Sequence, residues 1–183
     1  QSNVKRMLAF SSVSHAGYLV LGVLVFNFDG ISSVLFYFVV YSAMNLGAFS
    51  IISIVEGDDK GLTFSDYRGL ATPHPWLAFF MVLFMLSLAG FPPTAGFIAK
   101  YGLLSAAAAN GYIGLVLIAV INTLISAYYY LRLVVNMYMK TEEEVVKLTC
   151  PVINKYFIGL LAFMILLLGI SPGFILEIAE NAA

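Results

Sequence analysis

The chain has 183 residues, of which 61% are hydrophobic and only 10% charged, with a formal net charge of -1. That composition excludes a soluble domain and a disordered chain and makes the bilayer the solvent; the near-zero charge argues against nucleic acid as a partner. A single cysteine, Cys150, allows neither a disulfide within the chain nor a cysteine-based metal site.

The sequence opens Gln1-Ser2-Asn3 without methionine, and its first apolar segment is too long and wrongly flanked for a cleaved signal. The chain is therefore expected to be part of something larger. Lys5 and Arg6 precede a first span read as Met7 to Phe28. Within it Ser11, His15, Tyr18 and Gly22 recur every three or four residues, which sets them on one helix face that cannot face lipid. His15 lies about ten residues, or about 15 Å, past Lys5, near the middle of the bilayer. Two readings are open for it: a proton relay whose ordinary pKa near 6.5 suits the task, or a neutral imidazole held by a neighbouring hydroxyl.

The second span, Ile31 to Val55, repeats the pattern with Tyr37, Tyr41, Asn45 and Ala48. The following loop, Glu56-Gly57-Asp58-Asp59-Lys60, reads as solvated surface. The third apolar run, Pro75 to Asn110, is the informative one. From Trp76 onward a straight helix would reach roughly 50 Å, against about 30 Å of hydrocarbon. It has to break, and Gly90, Pro92, Pro93 and Gly96 mark the place, because proline cannot donate to the helix ladder and glycine tolerates unusual dihedrals.

Lys100 follows that break. An ammonium at membrane depth costs about 2.5–3.5 kcal/mol on insertion scales. The nearer edge, around Asn110, is about 15 Å away, beyond the roughly 6 Å reach of a lysine, so snorkelling does not account for it. Backbone freed by the break must be buried in protein or line a hydrated cavity. A broken helix beside an intramembrane lysine points to an ion path. Burial disfavours the charged amine, a carboxylate would favour it, and this chain places no acidic residue at the same depth.

A fourth span, Tyr112 to Met139, carries Asn122, Ser126 and Tyr129 or Tyr130 on one face; such residues are the ordinary packing surface between membrane helices. Arg132 on this span reads as an anchor to headgroups, and Glu142-Glu143-Glu144 as solvated surface. The last span covers 152–172, with its apolar core at Tyr156 to Ile170. Lys5 and Arg6, Lys60 and Arg68, and Lys140, Lys147 and Lys155 all fall on one side, and the other side has no Lys or Arg. The positive-inside rule makes that side cytoplasmic and leaves the carboxyl end, with Glu177 and Glu180, outside. There is no phosphate-cradling glycine motif, no metal-ligand cluster and no Ser-His-Asp arrangement, so nothing in the chain holds a redox centre.

Four stretches taken together resemble a known family: Val4-Lys5-Arg6-Met7-Leu8-Ala9-Phe10-Ser11-Ser12-Val13-Ser14-His15-Ala16-Gly17-Tyr18, Asp66-Tyr67-Arg68-Gly69-Leu70, Met85-Leu86-Ser87-Leu88-Ala89-Gly90-Phe91-Pro92-Pro93-Thr94-Ala95-Gly96-Phe97-Ile98-Ala99-Lys100, and Tyr128-Tyr129-Tyr130-Leu131-Arg132. They are similar to the carboxyl-terminal part of the subunit N (chain 2) family of proton-pumping NADH:quinone oxidoreductase, respiratory complex I. The resemblance covers nearly the whole chain.

It implies an all-α integral membrane protein, the last five helices of an antiporter-like fourteen-helix fold with the third helix of the piece discontinuous. It implies that Lys100 is the lysine of the second half-channel, and that His15 and Lys5 lie near the hydrated axis between half-channels. The related subunit M carries a glutamate at the position of Lys100, so the lysine favours N, with L the next choice. On this resemblance the chain is a non-redox membrane subunit of a translocase and binds no cofactor itself; NADH, FMN, iron-sulfur clusters and quinone belong to the whole complex. Its partners would be other membrane subunits of the L, M and K types and the lipid of a bacterial plasma membrane. The residues that complete a pumping unit would lie upstream of Gln1. The alternative is a subunit of a multisubunit sodium/proton antiporter, which shares the fold without redox coupling.

Overall fold

The computed structural model describes residues 1–56, 62–140, 148, 152–171 and 173. Of the residues singled out above, Gly57, Asp58, Asp59, Lys60, Glu142, Glu143, Glu144, Lys147, Cys150, Pro172, Glu177 and Glu180 lie outside the described residues. Among those described, the architecture is entirely helical: α1 (Val4–Val25), α2 (Phe28–Val55), α3 (Pro75–Ala89), α4 (Ala95–Ala109), α5 (Ile113–Met139) and α6 (Val152–Ile170).

The first two helices begin earlier than hydrophobicity alone places them, because asparagine side chains start them. Asn3 accepts from the Arg6 backbone N–H at 2.8 Å, and Asn27 accepts from that of Gly30 at 2.8 Å. Each satisfies a first-turn donor that the helix cannot. Phe26, in the left-handed region at φ 43°, ends α1 and lets Asn27 open α2 immediately.

α2 is the axis of the bundle, packed against α1, α3, α4 and α6. α5 closes the side formed by α3, α4 and α1. α1, α2, α5 and α6 are each long and apolar enough to cross a bilayer, whereas α3 and α4 have 15 residues apiece, about 22 Å each, and cross only in series.

At one end of the bundle residues 62–74 lie across the helix termini. The Val4 N–H donates to the Leu62 carbonyl at 2.8 Å, that of Phe64 to Ser2 at 3.1 Å, and those of Gly69 and Ala71 to the Asn136 and Met137 carbonyls of α5 at 3.1 and 3.2 Å. Arg132 sits over the Phe64 ring, 4.4 Å from its centroid, and donates to the Gln1 carbonyl at 3.4 Å. Lys155 lies 5.5 Å from the Trp76 ring. At the opposite end Asn27 donates to Asn110 at 3.4 Å. The Lys and Arg residues described, apart from Lys100, therefore collect at the first end.

Glu56 departs from the reading of its loop as plain solvated surface. Its carboxylate takes the Lys5 ammonium at 2.9 Å, with the side chains 49% and 32% exposed for Lys5 and Glu56 respectively. The partners are 51 residues apart, so only the packing of α1 on α2 brings them together.

Candidate functional site

The interruption between α3 and α4 builds the site. Gly90 adopts φ 87°, a left-handed conformation that glycine takes without steric cost. Its N–H returns to the Leu86 and Ser87 carbonyls at 3.0 Å, and the Phe91 N–H donates to Leu86 at 2.9 Å, so the helix ends as a glycine-capped turn. The Pro92-Pro93 bond is cis. Thr94 donates its hydroxyl to the Phe91 carbonyl at 2.6 Å, and α4 begins with the Gly96 N–H on the Ser87 hydroxyl at 3.1 Å. A Cβ at Gly96 would run into the Ser87 carbonyl oxygen, so the two half-helices meet this closely only because residue 96 has no side chain.

Two carbonyls at the end of α3 remain to be satisfied, those of Leu88 and Ala89. Lys100, one turn into α4 and only 4% exposed, reaches back and donates to them at 2.8 and 3.2 Å. The amine thus lies at the negative end of a half-helix, where the aligned peptide dipoles favour a cation. Among the described residues no carboxylate pairs with it. Its remaining neighbour is Tyr18 of α1, whose ring centroid is 5.1 Å from Nζ.

The polar face of α1 continues the site. Ser11, His15, Tyr18 and Gly22 are all buried. The His15 imidazole is held on both edges: Nδ1 pairs with the Tyr37 hydroxyl at 2.6 Å and Nε2 with that of Tyr130 at 3.1 Å. Tyr41 stacks on its face, with centroids 4.4 Å apart at 22°. A neutral imidazole has one donor and one acceptor, so one phenol donates to it and the other accepts; an imidazolium would donate to both oxygens. The same geometry serves both forms.

Tyr18 adjoins both protonatable groups: its ring lies by Lys100 and is edge-on to His15, with centroids 6.2 Å apart at 64°. Its hydroxyl points to α5, donating to the Ala119 carbonyl at 3.0 Å and meeting the Thr123 hydroxyl at 2.5 Å.

The structure thus assembles Lys100, His15 and the residues of the break in one region. Lys5 stands apart, on the same helix as His15 but with Glu56 at the bundle end. Of the packing residues, Asn45 donates to the Tyr41 carbonyl at 3.3 Å and Ser126 to that of Thr123 at 2.7 Å, each within its own helix. Asn122 bonds Tyr18. The clustered tyrosines were visible as stripes on separate helices, but their convergence on one imidazole and one amine was not. Tyr130 rather than Tyr129 meets His15, a choice that helical spacing left open.

The family described as NADH:quinone oxidoreductase/Mrp antiporter, TM matches residues 1–126. Two relatives named NADH-quinone oxidoreductase subunit N, from Trichlorobacter lovleyi and Coxiella burnetii, are 46% and 40% identical to the chain over its whole length. The chain spans 38% of the length of each. A solved respiratory complex I from Thermus thermophilus contains a chain that superposes with a TM-score of 0.85 at 32% identity over 97% of this chain and 40% of its own. A chain of the Mrp complex from Dietzia superposes at 0.87 with 22% identity over all of this chain and 42% of its own, a likeness of fold.

Proposed function

The chain belongs to the NADH:quinone oxidoreductase/Mrp antiporter transmembrane family, and from that premise we propose that it forms part of a proton-translocating membrane subunit, of the subunit N type, in an NADH:quinone oxidoreductase. The observation that carries this reading is the placement of Lys100: a buried amine at the end of a broken helix, held by backbone carbonyls, without a carboxylate partner among the described residues.

Lys100 is the protonatable element of the path and His15 its relay, with Lys5 and Glu56 at the cytoplasmic mouth. Because Lys100 is held by dipoles rather than by a counter-charge, a carboxylate or cation brought near by another subunit changes its proton affinity strongly. That differential interaction is what coupling to a distant reaction requires. Electron transfer belongs to other subunits, and this chain converts their electrostatic or conformational change into proton movement. The clustering of Lys and Arg at one end supports a cytoplasmic placement for Lys5 and Glu56, in a bacterial plasma membrane. Membrane subunits of the same complex are its partners.

The test is Lys100→Met in the full-length subunit of the assembled complex. Proton uptake driven by NADH oxidation in inverted vesicles should fall at least tenfold while the complex assembles normally. Unchanged uptake would refute the role.

The antiporter reading rests on the Mrp likeness, which is one of fold at 22% identity, whereas the relatives named subunit N reach 46%. Co-purification of the full-length subunit with iron-sulfur subunits favours the oxidoreductase; co-purification with sodium/proton antiporter subunits alone favours the other.

A further inference from the structure

Among the described residues, two carbonyls and one aromatic ring face the Lys100 amine. Leu88 and Ala89 offer carbonyl oxygens, and the face of the Tyr18 ring lies 5.1 Å from Nζ, within the range of a cation–π contact. An ammonium has three N–H bonds, so two are directed to oxygen and one to the negative face of the ring. A neutral amine with the same two hydrogen bonds would turn its lone pair on that face, which is repulsive. The ring therefore distinguishes the two states of the lysine.

The ring is itself fixed from outside. Tyr18 is buried, and its hydroxyl is tied to the Ala119 carbonyl and the Thr123 hydroxyl of α5. It does not point toward Lys100 or His15. A tyrosine that carried the proton between them would offer its hydroxyl to one of the two; this one offers its apolar body to both. The Tyr18 hydroxyl is therefore not the carrier between them in this arrangement.

We propose that Tyr18 is a positioning residue of the proton path: its ring face holds the Lys100 ammonium at the end of α3, and α5 sets the ring through Ala119 and Thr123. This deepens the reading above and rests on it. Movement of α5 then has a side-chain route to Lys100 through Tyr18, beside the direct packing of α5 on α3 and α4.

The experiment replaces Tyr18 in the full-length subunit with Phe and with phenylalanines of increasing ring fluorination, which weaken the negative face with little change of shape. Tyr18→Phe keeps the ring face but loses the tie to α5, so NADH-driven proton uptake should fall by about threefold, which sets the baseline for the series; uptake unchanged from wild type overturns the role of α5 in setting the ring. Uptake should then fall stepwise with each fluorine, to roughly a tenth of the Phe value for the trifluorinated ring, while assembly and NADH oxidation stay constant. A flat series overturns the proposal, because a space-filling side chain does not respond to fluorination. Tyr18→Leu, measured alongside, should lose uptake as strongly as the most fluorinated ring; equal uptake with Leu and Phe would likewise count against a role for the ring. Lys100→Met separates the two ideas. If it abolishes uptake and the series is flat, only the role of Tyr18 fails; if it leaves uptake normal, the proton path through Lys100 fails and Tyr18 has nothing to position.

Discussion

Lys100 and Lys5 are lysines on helices that pack together, yet they are held in opposite ways. Lys5 meets a full counter-charge, Glu56, at a half-exposed bundle end. Among the described residues Lys100 meets partial charges, two carbonyls and a ring face, at a buried position. The exposed pair contributes about 0–1 kcal/mol and is screened by salt. The buried amine, whose insertion alone costs about 2.5–3.5 kcal/mol, is tolerated because a broken helix leaves carbonyls that need a donor. On the proposed function, the buried lysine held by partial charges is the one whose protonation can respond to a visiting charge. A carboxylate beside Lys100 would have fixed it in one state.

Substitutions at both lysine sites and around them test this contrast. Gly96→Ala should be the most damaging, because its Cβ meets the Ser87 carbonyl and forces α3 and α4 apart, costing about 1–3 kcal/mol and moving the carbonyls that hold Lys100. Reduced amounts of assembled complex on native gels, with no pumping in what remains, is the expected result. His15→Phe removes the only link between the Tyr37 and Tyr130 hydroxyls described above and should lower proton uptake by about tenfold, water replacing part of the relay. His15→Gln, which keeps one donor and one acceptor but does not exchange protons, should match Phe if relay matters and match wild type if packing alone does.

Lys5→Met or Glu56→Gln acts at the exposed member of the contrast and should change uptake by no more than about threefold, with the effect shrinking as salt rises. A loss as deep as that of Lys100→Met would show that the two lysines form one unit. The smallest effect belongs to Tyr67, which is fully buried in the segment across the bundle end and whose hydroxyl has no hydrogen-bond partner among the described residues. Tyr67→Phe should be neutral or stabilising by up to about 1 kcal/mol in thermal unfolding. Burial, with the nearby Asp66 and Glu56 carboxylates, holds this phenol above its ordinary value. The folded state keeps the phenol neutral beyond its ordinary range while the unfolded chain ionises from pH of about 10, so stability falls as pH rises from there through the folded value; the Phe variant should lack that loss.

The break was legible from arithmetic, since an apolar run too long for one crossing contained Gly90, Pro92, Pro93 and Gly96. So was the shared face of Ser11, His15, Tyr18 and Gly22, because helical spacing is a local property. What α4 does with its lysine was not, for the Leu88 and Ala89 carbonyls are backbone groups that carry no sequence signal. The Tyr18 ring over the amine depends on how α1 packs on α4, and the Lys5–Glu56 pair on how α1 packs on α2. Neither partner advertises the other. Tyr130 was distinguishable from Tyr129 only by the rotation of α5 about its own axis, a tertiary quantity.

The most direct test is the ratio of protons moved to NADH oxidised by complexes carrying Lys100→Met, measured beside Lys5→Met in the same vesicles. A ratio sharply reduced for the inner lysine and nearly preserved for the outer one is the predicted result. A preserved ratio for Lys100→Met, in fully assembled complex, would contradict the account.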